Sequence, residues 1–188
     1  MQCIVFAIVI AIFAFVFFGR TIGVEGESMR TTLNNNDRVI ISNFLYTPRN
    51  GDIVVFQPSP EDLNGTPFVK RVIAVGGQTI RIDFETGDVF VADSYDSELI
   101  KIDEPYVFEG QYFPEQSRIR DSFRQPLEIQ IPPGQVFVMG DNRNHSTDSR
   151  VIGTIDERLI LGRVLFVFMP GTDWDGSRDW SRIGPIRK

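Results

Sequence analysis

Residues Cys3 to Phe18 are apolar without exception, and with Met1, Gln2 and Gly19 they make an uncharged stretch that ends at Arg20. That is about the length of one bilayer-spanning helix, and it is apolar all round rather than along one stripe, which argues against a helix half-buried in a core. A cleavable leader would carry a basic start, a shorter apolar centre and a small-residue cleavage site. Here no basic residue precedes the run, and Phe17-Phe18-Gly19-Arg20 is a poor cleavage site. Residues 1–19 are therefore expected to form a retained transmembrane helix, and the remainder must fold behind it. The missing basic flank suggests that a short cytoplasmic leader is absent from this version of the chain. Arg20 taken alone argues, by the positive-inside rule, for the orientation opposite to the one adopted below.

Of the 188 residues, 42% are hydrophobic and 12% aromatic, ample for one packed domain, so disorder is not expected. The net charge of -6 and the lack of a Lys/Arg cluster argue against nucleic acid as a partner. Cys3 is the only cysteine and His145 the only histidine, so neither an intrachain disulfide nor a Cys/His zinc site can form. A metal site of carboxylates alone stays open, though nothing points to one, and the expectation of no metal and no organic cofactor comes only from the resemblance described below.

Beyond Gly19 the sequence reads as mainly β. Arg38–Ser42, Asp52–Phe56, Phe68–Val75, Thr79–Asp83, Asp88–Ala92, Leu127–Ile131, Gln135–Met139 and Leu161–Phe168 are short runs rich in Val, Ile and Phe. Gly, Pro, Asn and Asp bound them. Glu85-Thr-Gly-Asp88 reads as a hairpin turn, and Ile131-Pro-Pro-Gly134 as a break before a central strand. Residues 20–188 are expected to be one domain, with 83–132 an excursion from its core sheet, since patterning weakens and charge rises there.

Three segments carry candidate chemistry. In a strand over Phe68–Val75, period two puts Phe68, Lys70, Val72 and Ala74 on one face, so Lys70 has only apolar neighbours beside it. A general base must be neutral, whereas a free lysine titrates at about 10.4. Desolvation on an apolar face favours the neutral amine, and a depression of about three units corresponds to about 4 kcal/mol. The other reading of such a lysine is one that snorkels from a sheet edge to water. Ser28, in the loop opened by Gly26, could expose its hydroxyl and offer its own amide as an oxyanion donor, although serines in Gly-rich loops are mostly inert. With one histidine there is little scope for a Ser-His-Asp hydrolase, so a serine nucleophile here needs another base. Finally, Gly140-Asp-Asn-Arg-Asn-His-Ser-Thr-Asp-Ser-Arg150 packs polar side chains right after a buried strand, which builds either a site or a surface turn held by Asp-Arg pairs.

Taken together, Gly26-Glu-Ser-Met-Arg-Thr-Thr-Leu33, Asn50-Gly-Asp-Ile-Val-Val-Phe56, Val69-Lys-Arg-Val-Ile-Ala-Val-Gly76 and residues 140–150 resemble, in order and spacing, the motif boxes of the bacterial type I signal peptidases, Gram-positive-like members in particular. The resemblance spans nearly the whole chain. It implies a signal-peptidase-like β-sheet catalytic domain behind one N-terminal transmembrane helix, in the cytoplasmic membrane with that domain outside the cell. It further implies a serine endopeptidase that removes signal peptides from exported preproteins. Ser28 would be the nucleophile and Lys70 the general base, with Ser146 orienting the lysine amine and Asp148 and Arg150 bracing the loop. Asp141 and Asn142 would serve the same scaffold, and Met29 would pack beside the substrate cleft. Gly26 stands where some members carry a serine that donates to the oxyanion, so the Ser28 amide would have to serve with other donors. Substrates would be preproteins with small residues one and three positions before the cut. Membrane lipid would be a second partner, met through the anchor and through interfacial aromatics such as Trp174 and Trp180.

Two departures qualify the resemblance. Thr31 stands where the family has proline, which removes a fixed φ after the nucleophile and predicts reduced rather than abolished activity. His145 stands where asparagine is common and raises a rival pair with Ser28. Readings from other classes are an anchored β-domain that binds exported polypeptides without cutting them, and a Ser-Lys hydrolase of the self-cleaving repressor type. The intact Ser28, Lys70, Ser146, Asp148 and Arg150 speak against the first, and the anchor against the second.

Overall fold

Short runs of β-branched and aromatic residues closed by turn formers make strands the main regular element among the described residues. The structure is a computed structural model and describes residues 4–6, 19–58, 66–107, 127–172 and 176–186. Its strands are β1 (Arg20–Gly23), β2 (Arg38–Ser42), β3 (Ile53–Phe56), β4 (Phe68–Val75), β5 (Thr79–Ile82), β6 (Val89–Ala92), β7 (Ile100–Lys101), β8 (Leu127–Gln130), β9 (Gln135–Met139), β10 (Ile155–Asp156), β11 (Ile160–Met169) and β12 (Gly184–Pro185). A single turn of helix, α1 (Ser149–Ile152), follows the polar loop.

The eight runs expected from sequence are all strands, with ends displaced by at most one residue. β1, β7, β10 and β12 were not anticipated. Each is two to four residues long, too short to show a period, and pairs because a longer neighbour supplies the ladder. β1, for instance, lies against β2 with Arg20 opposite Ile41 and Gly23 opposite Arg38.

Antiparallel pairing runs through the larger sheet in the order β1-β2-β11-β3-β4-β9-β10, with β12 beside β11. The long β11 bridges the two halves, pairing β3 through its start and β2 through the rest, with bulges between Ile160 and Gly162, between Val164 and Phe166 and between Val167 and Met169. A second, four-stranded sheet runs β7-β6-β5-β8. Its strands lie between Thr79 and Gln130, overlapping the stretch 83–132 expected as an excursion and starting before it at β5, while residues 108–126 lie outside the described residues. The chain leaves the larger sheet at Gly76-Gly77 and returns at residues 131–134, where Gly77 donates to the Ile131 carbonyl at 2.9 Å and Ile131 to that of Gln78 at 2.8 Å. A Cβ on Gly76 would meet Gly134 N at 3.0 Å and Pro132 O at 3.1 Å, so glycine lets the outgoing and returning chains touch. The β5–β6 hairpin turns through the expected Glu85–Asp88 stretch, with Gly87 at φ 80.

Alternation along the strands divides the core. Ile53, Val55 and Val69 join Val24, Met29, Leu33, Val39, Ile41, Val164 and Val167. Val54, Phe56 and Val72 join Val136, Val138, Ile155 and Ile160. A third group, with Ile73, Phe137 and Met139 on one side and Ile80, Ile82, Val89 and Val91 on the other, packs the two sheets together. Burying one such side chain contributes about 1.5–3 kcal/mol, so these clusters set the frame on which the polar loops rest.

Of the expected transmembrane helix, residues 4–6 are helical, and residues 1–3 and 7–18 lie outside the described residues. Among the described residues no helix is long and apolar enough to cross a membrane.

Candidate active site

Ser28 lies in a tight turn that follows β1. The turn closes through Arg30 N to Glu27 O at 3.1 Å and Leu33 N to Met29 O at 2.8 Å, and its neck through Val24 N to Asp37 O and Asn36 N to Val24 O, both at 2.8 Å. Gly26 takes φ +89, the left-handed region glycine favours, and donates its N–H to Asn35 Oδ1 at 2.9 Å. Met29 and Leu33 are 1% and 0% exposed and bolt the turn to the core from beneath. Met29, expected to pack beside the substrate cleft, packs in the core cluster beneath the turn. The same two anchors hold a turn in which Thr31 replaces the stiffer proline.

β4 carries Lys70 towards this turn. The amine reaches Ser28 Oγ at 2.8 Å and the Val69 carbonyl at 2.9 Å, and lies 5.0 Å from the Phe68 ring centre. Lys70 is 4% exposed, which excludes a lysine snorkelling to water. Burial lowers its pKa from 10.5 to about 8, opposed by the carboxylates of Asp148 and Asp141 and aided by Arg150. At that value an appreciable fraction of the amine is neutral near neutral pH and can accept the Ser28 proton along the same 2.8 Å contact.

Residues 140–150 close over the turn. Asn142 donates its backbone N–H to the Ser28 carbonyl at 3.0 Å and its side-chain amide to the Glu27 carbonyl at 3.1 Å. Asp148 caps α1 and takes Arg150 Nε and Nη2, both at 2.7 Å, and the Gly140 amide at 2.9 Å. Burial pushes the Asp148 carboxyl up, but Arg150, the Gly140 amide and the nearby Ser146 hydroxyl together hold it below the usual carboxylate range. Ser146 differs from expectation. Its hydroxyl is buried beside the Asp148 carboxylate and makes no bond to Lys70, whose amine goes to Ser28 Oγ and the Val69 carbonyl. Ser146 packs against Gly140, where an added Cβ would lie 2.3 Å from Ser146 Oγ and 2.5 Å from the Ser28 carbonyl.

Asp141 faces a residue the sequence reading passed over. Arg71, fully buried, grips it with Nε to Oδ1 at 2.8 Å and Nη2 to Oδ2 at 2.7 Å, while Nη1 reaches the Gly51 carbonyl at 2.9 Å. Thr32 also donates to Asp141, at 2.5 Å. Strand alternation puts Arg71 on the face of β4 opposite Lys70. The missed signal was an arginine on an otherwise apolar strand face, which cannot be buried unpaired and so demands a carboxylate elsewhere. His145 is exposed, ends a short 3-10 turn (Arg143–His145), and its N–H goes to the Asn142 carbonyl at 3.0 Å, whereas Ser28 is joined to Lys70. A groove of about 700 Å³ runs between Thr32, Tyr106 and residues 181–186, and neither Ser28 nor Lys70 lines it. Among the described residues no group of His, Cys, Asp and Glu side chains could hold a metal ion.

Comparison with known proteins agrees in kind. A family model described as signal peptidase, peptidase S26, matches residues 1–169. Probable signal peptidase I-1 of Synechocystis is 35% identical over 177 residues, covering 89% of this chain and 80% of that protein. Signal peptidase IB of Staphylococcus aureus strain Mu50 is 33% identical over 161 residues, covering 80% and 78%. The crystal structure of a signal peptidase I from Enterococcus faecalis V583 aligns with TM-score 0.45 at 23% identity, over 63% of this chain and 97% of that one. A family model that takes in nine-tenths of the residues, together with relatives above 30% identity along most of their length, makes this chain a member of the signal peptidase family, peptidase S26.

Proposed function

We propose that this protein is a membrane-bound serine endopeptidase that cleaves N-terminal signal peptides from exported preproteins, with Ser28 as nucleophile and Lys70 as general base. The observation that carries the reading is the 2.8 Å contact between Lys70 Nζ and Ser28 Oγ, made by an amine that is 4% exposed and, among the described residues, has no carboxylate bonded to it. The neutral amine takes the Ser28 hydroxyl proton as Oγ bonds to the scissile carbonyl carbon. The ammonium then gives that proton to the departing amine as the C–N bond breaks. Water hydrolyses the ester in a second cycle in which Lys70 again accepts and returns a proton. The Ser28 amide is the proposed oxyanion donor, held in place by Asn142 on the Ser28 and Glu27 carbonyls and by the Gly26 bond to Asn35. Asp148, Arg150, Asp141 and Ser146 act on the loop rather than on substrate.

Residues 1–19 are proposed as the anchor, which puts the catalytic domain on the surface where membrane-borne signal peptides arrive, outside the cytoplasm. Trp180 is 59% exposed, as an interfacial contact requires, and Trp174 lies outside the described residues. The test is cleavage of a preprotein with an Ala-X-Ala site in detergent. Wild type should cut at the junction, and Ser28→Ala and Lys70→Ala should each lose activity by orders of magnitude while staying folded. Full activity in Lys70→Ala would overturn the assignment of the base.

A further inference from the structure

Two arginines of the site are gripped from the second sheet. After β7 the chain crosses towards residues 140–150, with Ile102 N still on the Val89 carbonyl at 3.0 Å and a turn closed by Val107 N on Glu104 O, also at 3.0 Å. Glu104 meets the Arg143 guanidinium at both ends, Nη1 to Oε2 at 3.0 Å and Nη2 to Oε1. Their side chains are 12% and 2% exposed, so a part-buried Glu104 meets a buried Arg143. Tyr106 donates its hydroxyl to Glu104 Oε1 at 2.9 Å and sets its ring 3.8 Å from the Arg71 guanidinium carbon. Each arginine acts on a different part of the catalytic loop. Arg143 Nε holds the Gly140 carbonyl at 3.1 Å, and its own carbonyl accepts Arg150 Nη2 at 2.9 Å, while Arg71 holds Asp141.

We infer that Glu104, seconded by Tyr106, is a positioning residue for catalysis: it braces residues 140–150 through Arg143 so that the loop stays seated on the Ser28 carbonyl and keeps water from Lys70. Nothing in the motif boxes includes residues 104–106, which belong to the excursion. The arm makes the excursion part of the catalytic machinery. The argument rests on the Ser28–Lys70 reading above. The titratable and charged groups on elements packed around Lys70 are Asp141, Arg143, His145, Asp148 and Arg150 on the loop and α1, Arg71 on its own strand, and Glu27 and Arg30 on the nucleophile turn; β3 and β9 carry none. Glu104 is not among the groups that act directly on the amine.

That arrangement gives the test a sign. Deleting a remote carboxylate would by charge alone lower the Lys70 titration midpoint slightly, whereas loosening the loop admits water and raises it towards 10.5. Wild type, Glu104→Gln and Tyr106→Phe would be prepared as the full chain in detergent. The Lys70 side-chain amine would be titrated by NMR, and kcat and KM measured on an Ala-X-Ala preprotein. The brace predicts that in Glu104→Gln the midpoint rises by a unit or more from about 8. It also predicts that kcat falls tenfold or more at neutral pH while KM stays within threefold, with Tyr106→Phe smaller in the same directions. An unmoved or lowered midpoint with kcat within twofold of wild type overturns it, even if the melting temperature drops. Should Glu104→Gln fail to fold, Tyr106→Phe decides by the same signs, because it keeps the ring on Arg71 and removes only the bond to Glu104. If wild type cuts no preprotein, the cleavage reading fails, and the Lys70 titration still decides for or against the brace.

Discussion

Lys70 and Arg71 are consecutive in β4 and both buried, at 4% and 0% exposure, yet they meet opposite surroundings. Arg71 has a carboxylate on two of its nitrogens within 2.8 Å. Lys70 has a hydroxyl and a carbonyl. One residue is half of a buried ion pair that holds the loop, and its neighbour is an amine with no bonded counter-charge among the described residues, pushed towards its neutral, basic form.

Activity should therefore rise with pH as Lys70 loses its proton. The acid limb of kcat/KM, which reports the free enzyme, should centre near 8 and not at the ordinary 10.5. A pH-rate profile on a preprotein substrate measures it, and a limb near 10 would remove the desolvated base from the mechanism.

The same depression costs stability. A lysine at about 8 in the folded state and 10.5 unfolded is protonated in both below 8, where the folded protein bears the full cost of about 3 kcal/mol. Between 8 and 10.5 the unfolded chain binds more protons, so stability from this group rises with pH, and above 10.5 the cost is gone. Lys70→Met should abolish cleavage yet melt higher than wild type at pH 7, with the gap narrowing as pH climbs through that window. Equal melting temperatures at pH 7 would contradict a strained lysine.

Breaking the Arg71–Asp141 pair from either side leaves a buried charge alone, which typically costs about 3–5 kcal/mol. Asp141→Ala and Arg71→Ala should each destabilise by that order in urea unfolding. The double variant should lose much less than the two combined, because the second truncation removes the orphan the first one created.

Gly140→Ala should be far more harmful than its single methyl suggests. The new Cβ would lie 2.5 Å from the Ser28 carbonyl and 2.6 Å from Ser146 Cβ, and the backbone contact cannot swing aside. Moving the turn by about an ångström from the loop should lower kcat about 10²-fold. Gly23→Ala, where nothing lies within 4 Å, serves as the control and should leave kcat near wild type.

His145→Ala should keep most of the activity, since the exposed imidazole is joined to the rest of the loop through its backbone. Loss of activity comparable with Lys70→Ala would bring the histidine-dependent reading back.

Runs such as Phe68–Val75 and Gln135–Met139 were legible because strand formation there is a local matter: β-branched residues alternate for long enough, and turn formers stop them. Lys70 stood out for the same reason, as the lone cation on one apolar face. The positions of Ser28, Met29 and Ser146 were only partly legible. Whether a loop side chain points to a cleft, a core or a neighbouring glycine depends on what packs beneath it, and Met29 went into the core while Ser146 turned from Lys70 to Gly140. β1 and β12 exist because β2 and β11 offer them unpaired edges, a property of the partner and not of Arg20–Gly23 or Gly184–Pro185. Local sequence thus determined the strands, the turns and a buried lysine in need of desolvation, all of which follow from neighbours along the chain. Tertiary structure alone decided that Ser28 meets Lys70 across 42 residues, Arg71 meets Asp141 across 70 and Glu104 meets Arg143 across 39, because polar groups removed from water take whichever partner the packing of the sheets brings within reach.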